Sequence, residues 1–282
     1  MTLAPGQTPA QSLDVRVHSA LAGFHGTVSI FAKNLDSGAS YALRGDERVR
    51  TASTIKLAIM AAAFQAVQEG KVQWMDLSTL YDADKIHGSG VIGNEFTEGD
   101  RLPLVDLVHL MIVVSDNTAT NLVLDRITAD YVNDYVDRLG LKQTRSLRKV
   151  GSNVKDAGVS RAGHDPANQR FGMGVSTSHE MVELLEKMER GEVVSAEASK
   201  EMIKILKRCQ NRDGIARRMG EVPVASKYGA LDHLRSDVGI VYSKRGRIAI
   251  AITCDDLPKV DWSSDNAGLL MIARLSQILV GL

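Results

Sequence analysis

The sequence predicts an α/β (α+β) fold of two lobes, in which an antiparallel sheet with flanking terminal helices carries an inserted all-helical lobe. Three features of the 282-residue chain indicate this fold. Strand-like segments occur near both ends, helical periodicity dominates the middle, and a helical pattern stands at each end. Because an isolated hairpin is only marginally stable, we expect the strands from both ends to form one sheet.

The α/β lobe is predicted from residues 1–50 and 213–282. A helical pattern comes first in AQSLDVRVHSALAGF, and a hairpin is the simplest interpretation of GTVSIFAKNL and ASYALRG around the turn DSG. Strand patterns return in VPVASKYG, DVGIVYS and RIAIAITC, of which the last two are joined by KRG. The closing segment, NAGLLMIARLSQILVGL, is predicted to be a helix.

The all-helical lobe is predicted from residues 51–212, and together the lobes are expected to form one domain. Helical periodicity is carried by TIKLAIMAAAFQAVQEG, PLVDLVHLMIVV, TATNLVLDRI, ADYVNDYVDRLG, SHEMVELLEKMERG and SAEASKEMIKILKRC. The least regular stretch, residues 148–174, is long enough to be a functional loop rather than a connector.

Charge and composition limit the kinds of partner. Thirty-four basic residues balance 34 acidic ones without a long run of either sign, so we expect a small-molecule or peptide partner and no nucleic acid. No segment approaches 18 uninterrupted apolar residues, so no membrane insertion is expected. The N-terminus has neither the positive nor the apolar region of an export signal. We therefore expect a soluble monomer, with either no signal or one already removed, and the compartment stays open.

The two cysteines, Cys209 and Cys254, are too few for a disulfide framework. A single bridge is one interpretation. Two unpaired thiols in the core are the favoured one.

A nucleophile is suggested by ASTIKLAIMAAAF, in which Ser53 lies three residues before Lys56. On a helix this spacing puts the two Cβ atoms about 5–6 Å apart. The following residues, 57–64, are apolar on every side and predict a helix that runs through the core. Burial would lower the pKa of Lys56, so that a neutral amine can accept the Ser53 proton. The alternative is a capping serine followed by a snorkelling lysine.

The same spacing recurs twice in the polar irregular stretch. Ser146 with Lys149 and Ser152 with Lys155 are interpreted there as solvated side chains. Only the copy at Ser53 opens a helix predicted to be buried.

Three polar residues, Ser115, Asp116 and Asn117, interrupt two hydrophobic helices in MIVVSDNTATN. Here Ser115 could pass a proton to a leaving group, Asn117 could bind Lys56 and a substrate amide, and Asp116 could hold the loop backbone. The alternative is a simple helix cap. A cap is the favoured interpretation of the second copy of these three residues, at 264–266, directly before the last helix.

A third segment, SKYGALDHLRSD, places Lys227 at the predicted end of a strand, with Gly229 allowing a ligand to approach the backbone closely. In this order the segments resemble the class A β-lactamases and their penicillin-binding relatives, whose signature is S-x-x-K, S-D-N and K-T-G. The resemblance covers nearly the whole chain, because GSGVIG, YVNDYVDRLGLKQTR and RSDVGIVYSKRGRIAIAI are also similar to that family in the right order.

The resemblance implies a serine acyl-transfer mechanism. Ser53 would be the acylated nucleophile, Lys56 its base or proton relay, and Ser115 a proton shuttle. The backbone N–H groups of Ser53 and Ala230 would form the oxyanion hole. No metal or organic cofactor is implied.

The resemblance also implies how a substrate is held. Asn117 would bind the substrate, and Lys227 would supply positive potential to Ser115 and to a substrate carboxylate. Tyr228 stands where the family has a small hydroxyl residue, so a phenol either narrows that pocket or points away into the sheet. Arg235 could supply a replacement anion contact, or else form a salt bridge with Asp237.

One departure concerns removal of the acyl group. The family uses a loop glutamate after the second motif, but here no glutamate lies between Glu98 and Glu180. The carboxylates of the expected loop are Asp156 and Asp165, and HDPAN faintly resembles the family's Glu-Pro-x-x-Asn pattern. Asp165 is the candidate substitute, with a solvated loop aspartate as the alternative. Without a carboxylate at the water, the acyl-enzyme should be long-lived, or Lys56 or Ser115 should act as the base.

Competing sites have little support. The sequence holds no H-E-x-x-H zinc motif, no G-x-S-x-G elbow and no Walker loop. We therefore expect a serine hydrolase that forms an acyl-enzyme with β-lactams. The alternatives are a carboxylesterase, amidase or DD-peptidase using the same nucleophile, and a penicillin-binding sensor that does not turn over.

Overall fold

The computed structural model describes residues 12–151 and 158–282. Its strands are β1 Thr27–Asn34, β2 Ser40–Leu43, β3 Val49–Arg50, β4 Leu77–Thr79, β5 Arg101–Pro103, β6 Arg145–Ser146, β7 Gly174–Ser176, β8 Val224–Leu231, β9 Leu234–Ser243 and β10 Gly246–Asp255. Its α-helices are α1 Leu13–Leu21, α2 Lys56–Gln68, α3 Ile92–Glu95, α4 Leu104–Val113, α5 Asn117–Ile127, α6 Ala129–Arg138, α7 Arg161–His164, α8 Ser178–Glu189, α9 Ala196–Leu206 and α10 Ala267–Leu279. Turns of 3-10 helix lie at Ala52–Ile55, Asp82–Asp84, Pro166–Phe171 and Ile215–Arg218.

A five-stranded antiparallel sheet combines strands from both ends of the chain. The order is β2-β1-β10-β9-β8, and the N-terminal hairpin joins the C-terminal strands by pairing β1 with β10. This pairing confirms the predicted single sheet. β8 is an edge of that sheet, so its outer side faces the turn Ala52–Ile55 instead of another strand of the sheet.

The two faces of the sheet bury different helices. Along β10, Ile250 and Ile252 pack with α1 and α10 on one face, while Ala249 and Ala251 pack with the helices of the central region on the other. The alternation follows from the two-residue period of a strand. Small residues on the inner face leave room for α8, which packs directly on this face.

Helix α2 runs through the core of the helical region, as its composition predicts. Leu57, Ile59 and Met60 are completely buried, and each such side chain stabilises the fold by about 1.5–3 kcal/mol. From residue 51 to residue 64, only Ser53 is not buried. A rigid, fully packed helix therefore begins directly behind one accessible serine.

The structure adds short elements that periodicity did not predict. β4 pairs with β5, and β7 pairs with both β3 and β6, within or beside the helical region. Strands of two or three residues are too short to show a period of two. The lobe boundaries, residues 1–50 with 213–282 and residues 51–212, stay a prediction.

Other expectations concern thiols and membranes. Cys209 and Cys254 are both unpaired, as predicted, although only Cys254 is fully buried. Across residues 12–151 and 158–282, no helix has the length and apolar character needed to cross a bilayer. Ser146, interpreted from the sequence as a solvated side chain, is buried in β6, so that interpretation is wrong. The other copy of the irregular stretch, Ser152 with Lys155, lies outside the described residues.

Candidate active site

Ser53 sits on a strained turn that leads into α2. The preceding residue, Ala52, has a φ of 45°, a left-handed conformation that costs an alanine about 1–2 kcal/mol. Ser53 itself is partly exposed, and its backbone lies in the first turn of the helical segment, where N–H groups lack helical partners. The turn thus presents a hydroxyl at the positive end of a buried helix.

Gly229 of β8 touches this turn so closely that no side chain fits. A Cβ at Gly229 would lie 2.7 Å from the Thr51 carbonyl oxygen and 2.9 Å from the Ser53 nitrogen. The edge strand and the Ser53 backbone are therefore in direct contact. The sequence predicted that Gly229 would let a ligand approach the backbone closely. In the structure, Gly229 lets the turn that carries Ser53 approach β8 closely.

Lys56 is completely buried, and three hydrogen-bond contacts hold its amine. Lys56 Nζ lies 2.7 Å from the Ser115 carbonyl oxygen, 2.9 Å from Asn117 Oδ1 and 3.2 Å from Ser115 Oγ. Among the described residues, no hydrogen bond joins Ser53 Oγ to this amine. Burial, and then the nearby charge of Lys227, hold the pKa of Lys56 well below its ordinary value, while Asp116 acts in the opposite direction.

These contacts suit a neutral amine. An uncharged lysine has two N–H groups and a lone pair, whereas the ammonium has three donors. The two shorter contacts of Lys56 go to oxygens that can only accept, the Ser115 carbonyl and Asn117 Oδ1. The third and longest contact is to a hydroxyl, which can donate to a lone pair.

Ser115 lies between two buried lysines. It is fully buried and has a φ of 57°, a second left-handed residue at this site. Its Oγ is 3.2 Å from Lys56 Nζ and accepts a 2.9 Å hydrogen bond from Lys227 Nζ. A hydroxyl in this position can accept from one amine and donate to the other, so it can relay a proton between them.

Asp116 fixes the junction that carries Ser115. Its carboxylate accepts hydrogen bonds from the backbone N–H groups of Ala119 at 2.8 Å, Val91 at 2.7 Å and Ile92 at 2.8 Å. It therefore caps α5 and also ties α5 to the segment around α3. Both interpretations of the motif, helix cap and loop tether, describe this one side chain.

We expect Asp116→Ala to lower the free energy of unfolding by about 3–5 kcal/mol, because three buried N–H groups lose an ionised acceptor. Asp265 of the second Ser-Asp-Asn copy is the matched control. Its exposed carboxylate pairs with Arg217, and its loss should cost less than about 1 kcal/mol. Urea unfolding of both variants measures the difference, and equal losses would show that the tether at residue 116 is unimportant.

Asn117 has an oriented amide. Its Oδ1 accepts from Lys56, and its backbone N–H donates to the Ser89 carbonyl at 3.0 Å. Its Nδ2 lies close to Gly88, on the opposite wall of the cleft. The N–H₂ group thus faces the space in which a substrate carbonyl could bind.

Lys227 is completely buried within β8, and not at the end of the strand as the sequence suggested. Its ammonium donates to Ser115 Oγ and, at 2.7 Å, to the Tyr228 carbonyl. Burial lowers the pKa of Lys227 to about 8, against the opposing charges of Cys209 and Asp237. Burial likewise raises the pKa of Asp237 to about 7.

Tyr228 points into the cleft rather than into the sheet. Lys227 Nζ lies 4.1 Å from the centre of its ring, and the side chain lines the cleft together with Ser89 and Ser115. Burial raises the pKa of the phenol, which stays neutral at physiological pH. The side chain therefore narrows the pocket, which was the first of the two sequence-based alternatives.

Arg235 does not form the salt bridge that the sequence offered as one interpretation, and its contact with a substrate anion stays a prediction. Its guanidinium donates to the carbonyl oxygens of Leu231 at 2.5 Å, Leu234 at 2.6 Å and Asp261. The predicted salt bridge between Arg235 and Asp237 does not form. The Asp237 carboxylate accepts the Ile215 N–H at 2.8 Å instead. Backbone carbonyls therefore engage at most three of the five guanidinium N–H groups, and Arg235 still lines the cleft.

Asp165 does not join the site. Its side chain is exposed, caps the 3-10 turn Pro166–Phe171 by accepting the Ala167 N–H at 2.9 Å, and does not line the cleft. It therefore matches the alternative interpretation of a solvated loop aspartate. Asp156, the other loop carboxylate, lies outside the described residues.

The candidate site is an open cleft of about 540 Å³. It brings together the predicted residues Ser53, Ser115, Asn117, Tyr228, Gly229, Ala230 and Arg235, with Lys56 and Lys227 buried beneath. Its other walls are Gly88, Ser89, Asn211, Asp213, Trp262, Ser263 and Leu269. The sequence assigned no role to this second group. The glycine-rich segment GSGVIG was the one sequence signal that pointed to Gly88 and Ser89. Trp262 lies just before the second Ser-Asp-Asn copy, which was interpreted only as a helix cap.

Comparisons with known proteins agree with this geometry. A curated relative is beta-lactamase SME-1 of Serratia marcescens, 24% identical over 91% of this chain and 84% of its own length. The solved structure of a beta-lactamase from Sphaerobacter thermophilus DSM 20745 superposes with a TM-score of 0.80 at 30% identity, over 94% of both chains. PBP-A superposes with a TM-score of 0.78 at 24% identity, over 98% of this chain and 97% of its own.

The family comparison covers almost the entire described chain. The sequence model described as the Beta-lactamase enzyme family matches residues 12–281. A buried Ser-x-x-Lys helix, a Ser-Asp-Asn junction and a lysine-bearing edge strand converge within that match. The chain belongs to the Beta-lactamase enzyme family of serine hydrolases.

Proposed function

We propose that the protein forms an acyl-enzyme at Ser53 with β-lactams and hydrolyses it slowly. The proposal rests on two buried lysines, Lys56 and Lys227, which contact Ser115 Oγ from either side. They lie behind Ser53, the one residue between 51 and 64 that is not buried. Burial lowers the pKa values of both lysines, and the charge of Lys227 lowers that of Lys56 in addition. Paired groups with separated pKa values can divide the roles of base and electrostatic stabiliser.

Acylation starts with attack of Ser53 Oγ on the amide carbonyl. The Ser53 proton passes to the neutral Lys56 amine, and the new O–C bond forms as charge develops on the carbonyl oxygen. The backbone N–H groups of Ser53 and Ala230 stabilise that oxyanion. The resting structure lacks a hydrogen bond between Ser53 and Lys56, and such contacts often tighten only when substrate is bound.

Ser115 completes the reaction by protonating the leaving nitrogen. Its hydroxyl proton moves to nitrogen as the C–N bond breaks, and Lys56 returns the Ser53 proton to Ser115 Oγ. No net proton is gained or lost. The 3.2 Å contact between Lys56 and Ser115 supports this relay, and the Lys227 ammonium stabilises the transient negative charge on Ser115.

Slow deacylation follows from the carboxylates available. The family's loop glutamate is missing between Glu98 and Glu180, and the Asp165 carboxylate is engaged at Ala167 outside the cleft. With neither of these carboxylates at the water, Lys56 or Ser115 is the proposed base for its attack on the acyl-enzyme. A solved variant of PBP-A, 24% identical to this chain, is an acyl-enzyme complex with penicillin G.

A carboxylesterase, amidase or DD-peptidase is the second candidate function. It is favoured by Tyr228, which fills the position that would receive a substrate carboxylate, and by Arg235, whose donors bind backbone carbonyls. A pocket narrowed by a tyrosine suits substrates other than ordinary penicillins. The nucleophile and proton path would be the same.

We expect acylation to fall above about pH 8, by roughly tenfold per further pH unit. Lys227 is protonated below its pKa of about 8, so its positive charge is present there and is lost as pH rises. Stopped-flow acylation rates, measured as a function of pH, record this decrease as the alkaline limb of the pH–rate profile. Lys227→Arg, which stays charged, should remove the alkaline limb, and an unchanged limb in that variant would assign the titration to another group.

Intact-protein mass spectrometry tests the proposed function. The protein is mixed separately with penicillin G, nitrocefin and a p-nitrophenyl ester, and samples are quenched over time. The proposal expects a β-lactam adduct that persists for many minutes with slow nitrocefin turnover. An adduct with the ester alone would favour the second candidate, and no adduct from any of them would contradict acyl transfer.

A further inference from the structure

Two aromatic rings, those of Tyr228 and Trp262, line the cleft on the side that receives the leaving group. We propose that this side binds a planar aromatic substituent of the substrate, with Trp262 as the specificity-determining residue. The inference rests on the proposed acyl transfer at Ser53 and deepens it by naming a substrate class. That class is β-lactams whose second ring carries an aryl group next to its carboxylate.

The Tyr228 ring lies close to the place where the leaving nitrogen takes its proton from Ser115. Lys227 Nζ lies 2.9 Å from Ser115 Oγ and 4.1 Å from the centre of the Tyr228 ring. Ser115 and Tyr228 also line the same cleft. A group attached to the leaving nitrogen therefore has the Tyr228 ring beside it.

Trp262 continues this wall on the same face of the sheet. Tyr228 pairs with Asp237 across β8 and β9, and Arg235 lies two residues from Asp237 on the same face. Such diagonal neighbours are about 7–8 Å apart. The Arg235 guanidinium in turn lies 4.7 Å from the centre of the Trp262 ring. One extended substituent of the substrate can therefore reach from Tyr228 to Trp262.

Trp262 is held rigidly although its side chain is 63% exposed. The carbonyl of the preceding residue, Asp261, accepts hydrogen bonds from the buried Arg235 and, at 2.8 Å, from the buried Asn266 amide. The Asp261 carboxylate also accepts the Ser263 N–H at 2.8 Å. Among the described residues, no aromatic ring stacks on Trp262. The ring thus offers an uncovered apolar face, and its fixed backbone lowers the entropy cost of binding there.

The surroundings of the two rings favour an aromatic group and not a cation. Lys227 already lies over Tyr228, and Arg235 over Trp262, so each ring has a positive charge on one face. That charge opposes a second cation on the other face, whereas an uncharged aromatic ring still gains from stacking. The same two charges suit a carboxylate on this part of the substrate. An aryl group next to a carboxylate matches both features.

Three matched cephalosporins test the inference. They share one acyl side chain, and each carries next to its carboxylate a vinyl group that ends in methyl, cyclohexyl or phenyl. Cyclohexyl resembles phenyl in size, so the phenyl-to-cyclohexyl ratio of kcat/KM for acylation separates aromatic stacking from buried area. Each value is divided by the rate of hydroxide hydrolysis of that compound, so that intrinsic reactivity cancels. We expect a ratio of about two to ten, the usual gain from an aromatic pair.

Variants connect this ratio to one ring. Trp262→Leu keeps an apolar side chain and should reduce the phenyl-to-cyclohexyl ratio to near one. Trp262→Phe keeps an aromatic face and should retain a ratio clearly above one. Val260→Ala shortens another exposed apolar side chain of the same segment, one that does not line the cleft, and should keep the wild-type ratio.

The outcomes separate the two proposals. A Ser53 adduct from the methyl compound, together with a wild-type ratio near or below one, would overturn the aromatic subsite and leave acyl transfer standing. A ratio that Trp262→Leu leaves intact, or that Trp262→Phe loses as completely as Trp262→Leu does, would have the same meaning. No adduct from any of the three compounds would overturn both.

Discussion

Alanine in place of Ser53 is expected to abolish covalent acylation and to lower turnover by about 10⁴-fold or more. No other residue between 51 and 64 is accessible, and the strained turn at Ala52 presents this hydroxyl alone. Removing one partly exposed oxygen should leave the free energy of unfolding within about 0.5 kcal/mol of the wild-type value. Intact-protein mass spectrometry and steady-state nitrocefin or ester hydrolysis measure the two effects.

Ser146 provides the matched control for that variant. It begins another Ser-x-x-Lys sequence, but it lies in β6, and its buried Oγ has no hydrogen-bond partner among the described residues. Ser146→Ala should therefore be acylated like the wild type. Adduct formation by Ser53→Ala at the wild-type rate would assign the nucleophile elsewhere.

Alanine in place of Lys56 is expected to slow acylation by about 10²–10⁴-fold, the usual contribution of a positioned general base. The residue is fully buried, and its amine contacts both Ser115 and Asn117, so the variant also loses the contacts that orient them. Rapid-quench mass spectrometry of the acylation step measures the loss without interference from slow deacylation.

Two controls separate base catalysis from packing. Lys56→Arg restores a long cationic side chain but cannot accept a proton, so its acylation should stay as slow as that of Lys56→Ala. Lys149→Ala removes the lysine of the other described Ser-x-x-Lys copy, which pairs with Asp125 at the surface, and should acylate normally. Rapid acylation by Lys56→Arg would mean that Lys56 contributes charge and not basicity.

The parts of the fold that sequence reasoning predicted are those in which one short segment determines the outcome. β10 alternates its side chains between two cores, and α2 is apolar on all sides, so local pattern alone assigns both. The site followed from the same logic. A lysine at the start of a buried helix is expected to be buried with that helix, and Lys56 is completely buried.

The parts that were missed depend on backbone paths distant in sequence. Arg235 binds carbonyls of a β-turn and of residue 261, and no spacing rule connects those positions. Neighbouring side chains of a strand point to opposite faces, yet the Tyr228 ring folds over the Lys227 ammonium. The wall with Asp213 and Trp262 is built from two irregular segments, which carry no periodicity to interpret.

The central claim is that burial holds the pKa of Lys56 well below that of an ordinary lysine, so that its neutral amine is available as a base. An NMR titration of protein with lysine labelled at Cε measures this directly, with the Lys56 signal assigned by its absence from Lys56→Arg. The account predicts a Cε signal that titrates far below that of the surface lysines, at a pH well under 10.5. A Lys56 signal that titrates together with the surface lysines would contradict it.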